Sequence, residues 1–496
     1  MSIKLKLFIL LQIGVFLIAC CPLPSYGECI SGDSITVEKI FDSKEYKSNS
    51  FGPFQWDRNG HSFTMLKSSK KDKKVKELFR YNPKQKKFKK LIGSNDLIIH
   101  GDKKDTIIIE GYSVSPDRKK VLIFTNSEYV WRTKTRGDYW IFDLKSKKLW
   151  RIGKERKDSS MMFAKFSPDS KKVAYVSERD IYVEDVSGSN FLQLTDSGSD
   201  SIINGTFDWV YEEEFHMKDG FRWSPDGEHI AFWQFDITGV KDFHLIDYIS
   251  DIYSKVIPIQ YPKAGETNSS CRIGYVKSSG SKIRWINFKG NPRMHYLARM
   301  EWASSSEEII IQRLNRPQNR NRVWVQNIRT GNLNNIFTET DKAWLEVVDK
   351  FIWIEKGKFL LWTSEKDGWR HIYKISRNGK NSQLITSGKF DVISVLGVDL
   401  KKNLVYFSAS PDDPSQSYLY SASLSEEPVL RKITPLNLPG THRYEISEDS
   451  LSAVHYYSAF NIPGIIEIIR LPDHKRKLLL EDNAELGKKL KTLSLP

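Results

Sequence analysis

The chain has 496 residues, 40% of them hydrophobic, with 14 Trp, 21 Tyr and 26 Phe, so it holds enough apolar mass for a sizeable core and is not a disordered chain. Its formal net charge is +15, but the lysines are spread over segments 70–74, 84–90 and 145–148 instead of forming one aromatic-interleaved basic motif, so no nucleic-acid partner is expected. No Cys/His cluster has metal-ligand spacing, and neither a metal nor a cofactor is expected.

Residues 1–27 read as an export signal. Lys4 and Lys6 precede an apolar run over 7–19 that is too short for a convincing membrane span. Two cleavage readings stay open. Leu-Ile-Ala-Cys at 17–20 resembles a bacterial lipobox, which would leave Cys20 lipidated and the protein anchored to a membrane surface. Ser-Tyr-Gly at 25–27 offers small residues that would instead release a soluble protein beginning at Glu28. The lipobox is preferred, and both readings make the protein exported: periplasmic, a membrane-anchored lipoprotein, or secreted. Residues 28–50 form a lead-in segment. Cys29 and Cys271 are the cysteines left in the body of the chain, and nothing in the sequence says that they pair.

From residue 51 to 496 one pattern recurs. An aromatic or aliphatic residue is followed by a Ser-Pro-Asp-like turn, a polar residue or two, and an alternating apolar strand. Instances start near Trp56, Val114, Phe166, Trp223 and Trp302, with weaker copies near Ile354, Val398 and Ile446. Proline presets φ for a turn, and Asp, Asn or Gly supplies the next corner. Further strands follow many of these turns, as at 139–144, 180–186 and 322–328. A spacing of roughly 50 residues, strand-rich throughout, predicts an all-β fold: a β-propeller of eight blades, each of four antiparallel strands.

Residues 208–215 (DWVYEEEF) interrupt that pattern. Asp208 is a candidate N-cap for a short helical turn. Helical side chains fan out by roughly 100° each, so at most two of Glu212, Glu213 and Glu214 converge on one point. Two ionised carboxylates facing one cavity repel unless a cation lies between them, and an ammonium group, all donors, suits two acceptors. The plainer reading is a solvated acidic face, the usual fate of a charge run.

The surrounding stretch, residues 204–236 (NGTFDWVYEEEFHMKDGFRWSPDGEHIAFWQFD), closely resembles the glutamate-motif region of the dipeptidyl peptidase IV family. Segments 259–265 (IQYPKAG) and 282–300 resemble the same family's blade. By motif match, the resemblance implies that Glu213 and Glu214 hold the free α-amino group of a peptide substrate. Val130-Trp131-Arg132 followed by Gly137-Asp138-Tyr139-Trp140 resembles the family's arginine loop. It implies that Arg132 donates to the carbonyl of the second substrate residue and steadies the glutamates, a task suited to a rigid, permanently charged fork of donors. Residues 367–373 (DGWRHIY) also look family-like, but Trp369 and Arg370 serve blade packing as readily as substrate, and stay outside the predicted site.

The resemblance also implies an α/β-hydrolase domain after the propeller, with its nucleophile in a Gly-x-Ser-x-Gly elbow. No such elbow appears: Gly188-Ser189 and Gly280-Ser281 lack the flanking pattern, and residues 478–496 resemble the end of the family's propeller. The expectation is therefore a substrate-recognition propeller with no catalytic residue of its own, inactive alone, whose hydrolase is truncated or supplied as a separate chain. Anchoring the amine would then act as a ruler that places the second peptide bond at the nucleophile. A different class of reading is a non-catalytic propeller that binds peptide N-termini or a protein partner at the cell envelope. A third is a structural propeller whose acidic triplet is a relic.

Overall fold

Each turn motif picked out in the sequence joins the first strand of an antiparallel sheet to its second. Hydrogen bonds explain why. After Phe166, Ser167 Oγ donates to Asp169 (2.6 Å) and accepts the Lys172 amide (3.0 Å), while the Lys171 amide donates to Asp169 (3.1 Å). Ser115, Ser224 and Ser447 repeat the arrangement with Asp117, Asp226 and Asp449. The tightest residue takes a left-handed backbone in each: Arg118, Ser170, Gly227 and Ser450. Three of these are not glycine, so the Ser–Asp hydrogen bonds hold a corner that glycine would otherwise occupy.

The computed structural model describes residues 35–493, apart from 58, 59, 61, 83, 84, 86 and 100–104. The export-signal reading over 1–27, with Cys20, lies outside those residues, as does Cys29; Cys271 is a buried free thiol. Of the lead-in, Val37–Phe41 forms a short helix capped by Thr36. Further on, the Asn49 amide donates to Asn483 Oδ1 (2.7 Å), tying the lead-in to the end of the last sheet. No helix among the described residues is long and apolar enough to cross a membrane.

The fold is all-β. Four-stranded antiparallel sheets follow one another at 54–92, 111–151, 161–193, 295–340, 352–384, 392–432 and 441–481, with a five-stranded sheet at 202–285 among them. The sheets at 111–151 and 161–193 are also bonded to each other where Met161 and Met162 pair with Gly137 and Arg136. Consecutive sheets share cores. Leu78 and Ile92 of the first pack with Val121 and Ile123 of the second, and Val176 and Val183 of the third with Phe232 and Val276 of the next. The first and last sheets meet in the same way, Phe63, Met65 and Tyr81 against Val454, Ile466 and Ile468. Each fully buried side chain of this kind contributes about 1.5–3 kcal/mol. Sheets packed in this order fit a propeller.

Two departures from the four-strand plan position the site. In the sheet at 202–285, Ile202–Asn204 and Phe221–Trp223 both pair with His229–Asp236, so one strand position is split and the residues between bulge out carrying the acidic triplet. In the sheet at 111–151, strands Lys120–Val130 and Thr133–Asp143 run as a hairpin well past their partner Gly111–Val114. A register shift between Thr125 and Glu128, with Asn126 in a left-handed conformation, bends that extension.

Candidate functional site

The triplet ends a five-residue helix, Trp209–Glu213, with Glu214 as its C-cap. So short a helix is not stable alone, and its neighbours hold it. Asp208 Oδ1 accepts the Tyr211 amide (3.0 Å), the expected cap, and its other oxygen accepts Ser269 Oγ (2.6 Å). Tyr211 is 2% exposed, and its hydroxyl accepts the Leu297 amide of the neighbouring sheet (2.8 Å). Beyond the helix, Arg299 donates to the Phe215 carbonyl (2.9 Å) and pairs with Asp349 (2.7 Å). The segment is thus fastened to the sheet at 295–340 at two points.

The three glutamates have different surroundings. Glu212 points inward, where Thr133 Oγ1 donates to it at 3.4 Å. Burial raises its carboxyl pKa above the ordinary range; Lys218 and Thr133 pull the other way, and the charge of Glu213 adds to the rise. Glu213 is mostly shielded, with its Oε1 3.2 Å from Arg132 Nε. Glu214 closes the helix, is exposed, and makes no side-chain ion pair or hydrogen bond among the described residues. The carboxylates left facing outward are those of Glu213 and Glu214, with Glu212 turned away.

Arg132 comes from the far end of the long hairpin, where Trp131 and Arg132 form the two-residue turn between Val130 and Thr133. Trp131 takes φ 51°, an uncommon conformation for a bulky residue, and its ring meets Trp209 edge-on at 5.4 Å. The Arg132 guanidinium lies 5.9 Å from the same Trp209 ring. One indole at the start of the helix therefore steadies the loop that pairs with the helix's end.

Sequence reasoning missed what lies on the other side of that indole. Trp131, Arg132 and Trp209 line a cavity of about 910 Å³ together with Phe243, Ile257 and Tyr261, whose ring meets Trp209 edge-on at 5.9 Å. Phe243 and Ile257 belong to a separate two-stranded hairpin, Asp242–Asp247 with Lys255–Gln260, that leaves the sheet at 202–285, and Tyr261 follows it directly. Tyr261 lies in the segment 259–265 (IQYPKAG) already singled out in the sequence, and its aromatic character was the available signal. Trp369 and Arg370 lie elsewhere: the Arg370 amide and carbonyl bond to Asp391 and Val392, joining consecutive sheets. Among the described residues no hydrogen bond or ion pair links them to the triplet.

Chemically, the arrangement presents two carboxylates beside one guanidinium, a place for a cation with several donors. Residues 115–464, which include Arg132 and the whole triplet, match the family model described as the dipeptidyl peptidase IV (DPP IV) N-terminal region. The chain belongs to this family. It is 27% identical to a probable dipeptidyl-aminopeptidase B of Talaromyces marneffei, over 77% of this chain and 45% of that protein. It is also 27% identical to dipeptidyl peptidase 4 of Trichophyton rubrum, over 78% of this chain and 51% of that one. The chain thus spans about half the length of the curated relatives it matches. Among solved structures, dipeptidyl peptidase 4 of Porphyromonas gingivalis superposes with a TM-score of 0.82 at 24% identity, covering 92% of this chain and 63% of that one. In this dipeptidyl peptidase IV N-terminal region the arginine hairpin and the glutamate helix meet at the Arg132–Glu213 pair.

Proposed function

We propose that this chain is the substrate-recognition part of a dipeptidyl peptidase IV-like serine peptidase, built as an eight-bladed propeller that anchors the free α-amino group of a peptide. Glu213 and Glu214 receive the ammonium, and Arg132 orients Glu213 and donates to the peptide carbonyl of the second residue. The observation that carries this reading is the 3.2 Å pair between Arg132 and Glu213, with exposed Glu214 beside it. The guanidinium offsets part of the negative charge that the two carboxylates place on this surface before an ammonium arrives.

The cutting step belongs, by the resemblance, to an α/β-hydrolase domain, on this or a separate polypeptide, outside the span described above. The recognition site contributes position: an amine held at a fixed distance selects the second peptide bond. The blade count rests on the ordered sheets and on the packing of the first against the last. We further propose export to the cell envelope, from the leader over 1–27, with Cys20 as the lipidation site.

The test compares peptides with free and acetylated N-termini by calorimetry on the purified chain, then hydrolysis of a Gly-Pro chromogenic amide with and without extract of the source cells. The α-amino pKa of roughly 7.7–8.0 leaves the free peptide charged at pH 7. Binding that acetylation abolishes, with hydrolysis appearing only when extract is added, is the expected result. Equal affinity for both peptides would sink the ammonium clamp. Clamped binding without hydrolysis under either condition would instead favour a non-catalytic receptor.

A further inference from the structure

The sheet at 441–481 buries an array of imidazoles that the peptide site does not use. His442 lies on strand Thr441–Ile446, His455 on Ser452–Ala459, Glu467 on Ile462–Arg470, and His474 in the turn that follows. None of the four is more than 8% exposed. His442 and His455 stack with ring centres 5.0 Å apart, and His474 meets His455 edge-on at 4.8 Å.

Leu438 O lies 2.9 Å from His442 Nε2, His442 Nδ1 lies 2.8 Å from His455 Nε2, and His455 Nδ1 lies 3.0 Å from Glu467 Oε1. The two rings thus connect a backbone carbonyl to the Glu467 carboxylate, which turns Oε1 to His455 while Arg476 takes Oε2. A buried imidazole nitrogen beside a carboxylate oxygen is also a pair of metal ligands.

His474 supplies a third. One ligand atom each from His455, Glu467 and His474 lies within 4.8 Å of the others. A tetrahedral ion with bonds of about 2.0–2.2 Å sets its ligand atoms roughly 3.3 Å apart, so His455 and Glu467 need part only slightly from 3.0 Å while His474 closes in by up to about 1.5 Å. His474 Nε2 has a hydroxyl partner in Tyr444 (2.9 Å), and Tyr444 has a second partner in Thr434 (2.8 Å), so releasing His474 need not strand the phenol.

We propose that His455, Glu467 and His474 bind one divalent transition-metal ion of the zinc class, which enters between His455 and the Glu467 carboxylate. Two imidazole nitrogens and one carboxylate oxygen suit such an ion, and a water completes the fourth position. The ion binds nitrogens that carry no hydrogen, so the His455–Glu467 contact opens as it enters. The ion ties two neighbouring strands to the turn beyond them, in the sheet that also packs against the first. Ligands this far apart in the chain, on separate strands, do not show as a spacing motif.

The full chain, stripped with a chelator and dialysed, is titrated with Zn²⁺ against a chromogenic chelator and with Co²⁺ followed by visible absorption. One ion per chain, tetrahedral cobalt bands and a raised melting temperature are expected. His474→Gln should lower the affinity by about a hundredfold or more. Absence of stoichiometric binding, or equal affinity in H474Q, would overturn the site. Where H474Q does not fold, the wild-type cobalt spectrum decides: octahedral bands reject the proposal.

Discussion

The Tyr211 hydroxyl accepts the Leu297 amide at 2.8 Å, joining the glutamate helix to a strand of the next sheet at a point where both residues are buried. Tyr211→Phe keeps the ring and its packing but leaves that amide without its phenol partner. A buried donor left unsatisfied costs about 1–3 kcal/mol. Urea unfolding should show a loss of that size, with weaker peptide binding as the helix loosens. A variant as stable as the parent would mean that packing alone holds the helix.

Glu212 gives the site a pH signature whose sign follows from its burial. Its carboxyl is raised above the ordinary value of 4.5, so the folded chain binds more protons than the unfolded chain in the window above 4.5. Stability from this group is full below the unfolded value and is lost as pH rises through the folded one. Glu212→Gln stays neutral throughout and can still accept from Thr133. The variant should therefore gain on the parent as pH rises from about 4 to about 8, read from unfolding free energies of both across that range. A difference that is flat with pH would place an ionised Glu212 in a solvated setting.

The turns were legible because their chemistry is local: Ser167, Asp169 and Lys172 close one corner among six residues, and the same residues recur wherever the pattern does. The Asp208 cap was legible for the same reason. The helix's splitting of a strand position was not, because it depends on Ile202–Asn204 and Phe221–Trp223 finding the same partner strand. Nor did spacing place Arg132 against Glu213, which comes from two sheets meeting; only the family likeness set those residues side by side. The array of His442, His455 and Glu467 stayed hidden because side chains on adjacent strands meet by register, which a linear pattern does not display.

Arg132 separates stability from recognition. Its side chain is 73% exposed, and an exposed pair of this kind contributes about 0–1 kcal/mol. Arg132→Ala should leave the unfolding free energy within about 0.5 kcal/mol of the parent while weakening peptide binding. Arg132→Lys should not restore binding, because a single ammonium cannot reproduce the planar fork. Full rescue by lysine in the calorimeter would reduce the role of Arg132 to charge alone.

The two outward glutamates should differ in how they couple to that arginine. Glu213 already shares its charge with Arg132, whereas Glu214 has no cation beside it among the described residues. Each Glu→Gln change removes one charged hydrogen bond to a bound ammonium, a loss of about 1–3 kcal/mol in peptide affinity. Removing Arg132 first alters what Glu213 can offer, because its carboxylate loses a partner and is freer to move. Glu214 keeps its setting. A double-mutant cycle should therefore give a coupling of about 0.5 kcal/mol or more for Arg132→Ala with Glu213→Gln, and near additivity for Arg132→Ala with Glu214→Gln. Strong coupling of Arg132 to Glu214 would mean that the guanidinium swings between both carboxylates on binding, so that the pair seen with Glu213 is only one of its positions.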